Sequence, residues 1–334
     1  MKPVAVIILN WNGAELLRRY LPSVVANTNP TLADIIVADN GSTDDSASIL
    51  ANEFPGVKTL LLDKNYGFAE GYNRAIAAYA DYRYTVLLNS DVRTPEQWLD
   101  PLVEYLENHP DVGAVQPKLL KDRQDGRQVF EYAGAAGGYL DRHGYPYCRG
   151  RIFESIEDDN GQYDNITPSI FWASGACIAV RTELYRKAGG LDADFFAHME
   201  EIDLCWRIRL LGYDLKMIPQ SRVYHLGGAS LPQGNPKKTY LNFRNNLLLL
   251  HKNLPEKEGR RLLVIRRLMD TLAFGMALCK LHLGDAKAII RAHRDFRRMR
   301  RNYTTHPEHN LLHDTPEGQR NIVVEHYLLR KNKF

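Results

Sequence analysis

At 334 residues, 44% apolar and 25% charged, the chain has the composition of a soluble globular protein that can bury one large core or two modest ones. Net charge is only +3, yet residues 257–301 hold 13 Lys and Arg against 4 Asp and Glu, so the basic character is local and the remainder is acidic. Its four cysteines form no C-x-x-C pair, the N-terminal "VAVIIL" is too short for a signal-peptide core, and "LMDTLAFGMALCKLHL" is interrupted by Asp270 and Lys280, so a disulfide framework, a zinc ribbon, export and a spanning helix are not expected.

"VAVIIL" reads as a buried strand, and the segment after it places Leu16, Leu17, Tyr20, Leu21, Val24 and Val25 on one helical face, with Pro22 inside it. Strand patterns follow at 34–38, 57–62 and 84–88, separated by helical patterns near 45–54 and 68–79. Pro95 is expected to open a helix carrying Trp98, Leu99, Leu102, Val103 and Leu106. This alternation implies an α/β fold with a mainly parallel sheet and helices on both faces.

Residues 117–170 read as a loop-and-hairpin insertion, and 171–180 as a further strand. A helix from Thr182, an acidic helix "HMEEIDLCWRIRLLGY" and the strands "LKMIP" and "RVYHL" come next, and from Asn235 the pattern is helical. The expected division is an α/β domain at 1–234, itself split at 116/117, followed by a basic helical extension at 235–334.

In such sheets ligands bind beyond the carboxyl ends of the strands. Asn10, Asp39 and Asp91 each stand where an apolar strand stops, so they are expected to converge on one crevice. Asp44 and Asp45 read as helix caps, whereas Asp39 precedes the Asn-Gly turn and can accept from a base N–H or a ribose hydroxyl. Asp91 suits a hard cation, because Mg2+ or Mn2+ takes one or two carboxylates from protein and the rest from phosphate and water. Glu201 heads a helical stripe with Leu204, Ile208 and Leu211, and three acids in four positions, Glu200, Glu201 and Asp203, exceed what capping needs. His225, in "VYHLGGAS", reads from the residues alone as structural or as a ligand.

In order, "VIILNWNG", "VADNGSTDDS", "NYGFAEGYNRAI", "LLNSDV", "WASGACIAVRTELYRKAGGLDADFF", "MEEIDLCWRIRLLGY" and "YHLGGAS" resemble an inverting family 2 glycosyltransferase of the GT-A fold, nearest its bacterial rhamnosyltransferase-like branch, over about residues 3–255. The resemblance implies that Asp91 holds Mg2+ or Mn2+ as the last acid of a D-x-D element written here as Asn89-Ser90-Asp91, with His225 beside the metal. It implies donor contacts from Asn10, Asn12, Asp39, Asn65, Gly67, Asn89 and Trp172, and a general base at Glu201, with Glu200 and Asp203 in the same acidic group. The family's acidic pair here ends in Glu rather than Asp, one methylene longer, which leaves the choice between Glu200 and Glu201 open. "GGLDADFF" is expected to form the acceptor lip, with Phe195 and Phe196 able to stack on a sugar.

The implied reaction transfers a sugar from a UDP- or dTDP-sugar, dTDP-rhamnose among the candidates, to a glycan or lipid-linked acceptor in cell-surface polysaccharide synthesis. A processive synthase is not expected, because the Q-x-x-R-W element is missing, and no G-x-G-x-x-G follows the first strand as a dehydrogenase would require. The basic helices suit either an anionic membrane surface or packing on the catalytic domain or on a second subunit in a homodimer. The expected location is cytoplasmic, with peripheral attachment to the cytoplasmic face of the inner membrane under the first option. A nucleic-acid partner is disfavoured by the acidic remainder. The rival reading is a nucleotide-sugar-binding or membrane-associated scaffold without turnover.

Overall fold

Side chains of the first strand, β1 (Val4–Asn10), alternate between two separate cores, which explains its unbroken apolar run. Val4, Val6 and Ile8 pack with Leu17, Leu21 and Val24 of α1 (Ala14–Asn27), whereas Ala5 and Ile7 share the opposite core with Tyr72 and Ile76. The computed structural model describes residues 2–227 and 234–334. The last residues of "YHLGGAS", 228–230, lie outside the described residues.

The chain continues through β2 (Ala33–Asp39), α2 (Ser46–Glu53), β3 (Lys58–Leu61), α3 (Gly67–Ala78) and β4 (Tyr84–Asn89). β1 to β4 are parallel and lie in the order β3-β2-β1-β4, so the strand order reverses between β1 and β4. A crevice at such a reversal is where ligands enter.

Four further strands complete an eight-stranded sheet: β5 (Val92–Arg93), β6 (Val112–Lys121), β11 (Cys177–Arg181) and β12 (Asp214–His225). β11 runs antiparallel to β4 and β6, β12 is parallel to β6, and β5 is an antiparallel edge on β12. The sheet is therefore mixed. Between β6 and β11 the insertion folds into a small antiparallel sheet of β7 (Gly138–Leu140), β8 (Pro146–Cys148), β9 (Arg151–Ile152) and β10 (Ser155–Ile156).

Several expected boundaries move. The helix expected from Pro95 begins at Asp100 (α4, Asp100–Asn108), because Val92 and Arg93 pair with β12 and Gln97 takes a left-handed φ of 57°. Pro101 fills its first turn instead. Within 171–180 only the part from Cys177 is strand, since Trp172 bridges to Gly138 of the small sheet. "LKMIP" and "RVYHL" are one strand with a register irregularity between Ile218 and Arg222.

After β11 come α5 (Thr182–Lys187) and α6 (Glu200–Leu210), the latter stopped by Gly212 at φ 87°. The C-terminal part forms α7 (Pro236–Asn253), α8 (Glu256–Cys279) and α9 (Leu283–Met299). α7 is not set apart from the sheet domain: its Leu247, Leu248, Leu249 and Leu250 belong to the same core as Tyr72 and Trp206.

Candidate active site at the strand ends

Asn10 and Asp39 are register partners at the ends of β1 and β2. The Asn10 amide donates to Asp39 Oδ2 at 2.9 Å, and the Ser42 amide donates to Asp39 Oδ1 at 2.9 Å, so Asp39 is buried and already braces its own turn. Asn10 Oδ1 is buried without a partner. Asn12, in the left-handed region at φ 48°, accepts from the Thr43 amide at 2.8 Å, which ties the first strand-end turn to the second. Asp44 joins two helix starts, accepting from Ala14 N of α1 at 3.0 Å and from Ser46 N of α2 at 3.1 Å, whereas Asp45, at the N-cap position of α2, makes no side-chain cap bond.

Asn65 accepts from Gly67 N at 2.7 Å, and Asn40 donates to both the Asn65 oxygen and the Gly67 carbonyl. Asn40 thereby joins the loop before α3 to the crevice, a role no motif assigned to it. Gly67 has φ 80°, and a Cβ there would lie 3.2 Å from the Phe196 ring, so the loop before α3 touches the expected acceptor lip.

Trp172 is placed elsewhere. Its indole is buried, donates to the Tyr139 carbonyl at 2.9 Å and packs so tightly on Gly138 that a Cβ there would come within 2.2 Å of the ring. It pins the insertion to the main sheet, and its one polar atom is spent doing so. The expectation of a donor contact is corrected accordingly.

Asp91 follows β4, and its Oδ1 lies 3.0 Å from His225 Nε2 at the end of β12. Asn89 lies 3.4 Å from the same nitrogen. On its other side His225 Nδ1 lies 3.4 Å from Glu131, an ion-pair separation longer than a good hydrogen bond. Burial alone would push this imidazole down, but the carboxylates of Asp91 and Glu131 outweigh it and raise it to about 10. Burial likewise opposes ionisation of Asp91, yet its bond to His225 holds it below the usual range. Glu131 was not found by sequence reasoning, because it sits in the irregular insertion with no motif around it.

Among the described residues no three His, Cys, Asp or Glu side chains converge as an all-protein cation cage would. The donor set still fits a hard cation: the ionised Asp91 carboxylate with the Asn89 amide beside it, leaving positions for phosphate and water, and His225 joins once it gives up its Nε2 proton to become a neutral imidazole.

The acids of α6 divide. Asp203 is fully buried and bonded to Arg207, Lys252 and Asn253, the last two on α7. Although burial would push its carboxyl up, Arg207 and Lys252 hold it below the usual range. This is a strut between α6 and α7, which corrects the expectation that Asp203 serves the cleft. Glu200 and Glu201 are different, because each keeps a buried oxygen without a hydrogen-bond partner. Burial pushes both carboxyls up, Glu200 further through the adjacent Glu201 charge, and Glu201 reaches about 7. Glu201 is the partly exposed one of the two. It borders Gly175, where a Cβ would sit 3.8 Å from Glu201 Cβ and 3.6 Å from the Phe68 ring.

Gly175 adjoins Ala176, whose carbonyl accepts from Asn89 N at 3.0 Å, so one short segment links the β4 end to the α6 acids. The loop entering α6 is strained: Phe196, His198 and Met199 have φ of 65°, 69° and 72°. Of the two lip aromatics only Phe196 is exposed; Phe195 is core.

Residues 5–188 match the profile of the family described as Glycosyl transferase family 2. The chain is 26% identical over 234 residues to the N-acetylglucosaminyl-diphospho-decaprenol L-rhamnosyltransferase of Mycobacterium tuberculosis, covering 66% of this chain and 75% of that one. It is 23% identical over 230 residues to the Rhamnosyltransferase WbbL of Escherichia coli K12, covering 66% and 83%. Among solved structures, S. aureus TarS 1–349 in complex with UDP-GlcNAc aligns with TM-score 0.57 and 17% identity over 89% of this chain and 80% of that one. The mannosyltransferase PcManGT of Pyrobaculum calidifontis, in complex with GDP-Man and Mn2+, aligns with TM-score 0.52 and 18% identity over 88% and 86%. These likenesses bear out the GT-A fold. No helix among the described residues is long and apolar enough to cross a membrane.

Proposed function

The chain belongs to glycosyl transferase family 2, and we propose that it moves one sugar, with inversion, from a UDP- or dTDP-sugar to a hydroxyl of a lipid-linked saccharide. dTDP-rhamnose is the donor favoured by the rhamnosyltransferase relatives, and the lipid-linked acceptor by the decaprenol-linked one. The observation that carries the reading is the pair at the start of α6, buried Glu200 and partly exposed Glu201, each keeping one buried oxygen without a hydrogen-bond partner. A buried carboxylate without a partner costs free energy, and such a cost persists where a ligand meets the group.

Glu201 accepts the proton of the acceptor hydroxyl; the freed oxygen attacks the anomeric carbon, and the bond to the diphosphate oxygen breaks on the opposite face. A base with a pKa near neutrality is matched to this transfer. Glu200, deeper and held more strongly protonated, stays neutral and keeps a second negative charge away from Glu201. On the donor side Asn10, with its free Oδ1, Asp39 and Asn12 receive the base and ribose, and Asn65 and Gly67 line the same pocket.

Asp91, Asn89 and His225 are the residues that would hold Mg2+ or Mn2+, and a bound cation supplies charge that offsets the negative charge growing on the departing diphosphate. Without it, protonated His225 supplies positive charge between Asp91 and Glu131. The test is a thermal-shift titration with UDP, dTDP and GDP, each with and without Mn2+. Stabilisation by UDP or dTDP that requires Mn2+ supports the reading, and no stabilisation by any nucleotide defeats it.

A further inference from the structure

The C-terminal helices leave one face that nothing in the described fold covers. On α8, Val264, Leu268, Leu272 and Met276 follow at four-residue intervals and all are exposed, Leu272 to 71%. The apolar surface continues into the α8–α9 turn, where Leu281 is 81% exposed and Leu283 follows it. A contiguous patch of this kind on a polar protein marks an interaction site.

Charge identifies what covers it. Arg261, Arg267, Lys280 and Lys287 are exposed around the patch. The acids of the same two helices are mostly turned inward: Asp270 is buried against Arg266 and His293, Asp295 is buried, and Asp285 accepts from Thr239. Only Glu256 and Glu258, at the far start of α8, face solvent. Apolar side chains rimmed by unopposed cations are what an interfacial helix on anionic lipid requires. A second copy of this chain is a poorer occupant, because a two-fold contact sets a patch against itself and would oppose arginine to arginine.

The patch and the cleft share an edge. At the start of α9, just past the turn, a Cβ on Gly284 would lie 2.8 Å from Pro236, the first residue of α7. The next residue, Lys237, holds its ammonium 5.2 Å from the ring centre of Phe196 on the acceptor lip. The first turn of α7 therefore has the apolar tip on one side and the mouth of the cleft on the other.

We propose that α8 and the α8–α9 turn dock on an anionic bilayer surface and bring the cleft mouth at Phe196 to the level of the lipid headgroups. The geometry stands by itself; its purpose, access to a saccharide whose carrier lies in the membrane, rests on the glycosyltransferase reading above.

The experiment is vesicle flotation of the full chain with phosphatidylcholine alone or mixed with phosphatidylglycerol, at low and high salt. The chain is expected to float with the anionic vesicles, about tenfold more weakly at high salt because the cations are screened. The double variant Leu268→Glu, Leu272→Glu changes only exposed positions, so it should keep its melting temperature and its nucleotide-dependent thermal shift while losing flotation. Three results would overturn the proposal: no flotation with anionic vesicles at low salt, flotation undiminished in the double variant, or a concentration-dependent dimer in sedimentation that the double variant dissolves. The thermal shift uses no vesicles, so a failure of docking and a failure of the donor site are read separately.

Discussion

The side-chain amide of Asn245, in the middle of α7, donates to the carbonyl oxygen of Phe195 across 3.0 Å. The same nitrogen reaches the carbonyls of Ala197 and His198, and Arg244 adds bonds to those of Asp194 and Phe195. A C-terminal helix thus gathers the backbone of the loop that delivers Glu200 and Glu201. Its left-handed residues would not hold that course unaided.

Asn245→Ala should therefore act as the loss of a positioning residue. It strands buried carbonyls at a cost of about 1–3 kcal/mol, and kcat should fall at least about tenfold through misplacement of Glu201. The KM for the donor should change less than kcat, because the side chains proposed to receive the donor sit on other loops and only Gly67 borders the lip. A variant with normal kcat would show that the lip keeps its course without α7.

Asp203→Ala should be mainly a stability defect. Removing this carboxylate leaves Lys252 and Arg207 short of a buried partner, a loss of about 3–5 kcal/mol. Urea unfolding measures it. If stability is unchanged and turnover alone disappears, Asp203 serves the cleft after all.

Glu201 makes stability and activity run in opposite directions with pH. Its folded carboxyl lies near 7 against an ordinary value of 4.5, so between those values the native state holds the extra proton. The slope of stability with pH is negative there, and the group's stabilising contribution declines as pH rises from about 5 to about 8. The base role proposed for Glu201 needs the ionised form, so activity should climb over the same range. Glu201→Gln should flatten this part of the melting-temperature profile; an unchanged profile would place the titrating group elsewhere.

Asp91→Ala should abolish Mn2+-dependent stabilisation by the nucleotide and also lower the melting temperature without ligand, because His225 loses a buried partner. Glu131→Gln should keep nucleotide binding, since Glu131 meets His225 from the side away from Asp91. Equal losses in both variants would make Glu131 part of the binding set.

The strand-end residues Asn10, Asp39, Asn89 and Asp91 were legible because a parallel sheet presents its carboxyl ends at one edge, and an apolar run that stops on a polar residue locates that edge. The acids of α6 were legible as a group but not by role. Asp203 and Glu201 look alike in sequence, and only the arrival of Lys252 and Asn253 from α7 marks Asp203 as a strut and leaves Glu201 as the proposed base. Trp172 misled because its motif places it near the cleft while Gly138, far away in the chain, supplies the surface it packs on. Glu131, Asn40 and Asn245 were missed because each acts through contacts distant in sequence with no local pattern. The start of α4 was misread because Pro95 is a good first-turn residue, but pairing of Val92 and Arg93 with β12 competes for the same stretch.

Whether Glu201 is the base is decided by the initial rate of sugar transfer by Glu201→Gln beside wild type, with the nucleotide-induced thermal shift recorded on the same samples. The variant should transfer sugar about 10²- to 10⁴-fold more slowly, the usual worth of a general base, with the shift intact. A variant that transfers sugar at close to the wild-type rate would contradict that role and move the base to Glu200 or outside α6.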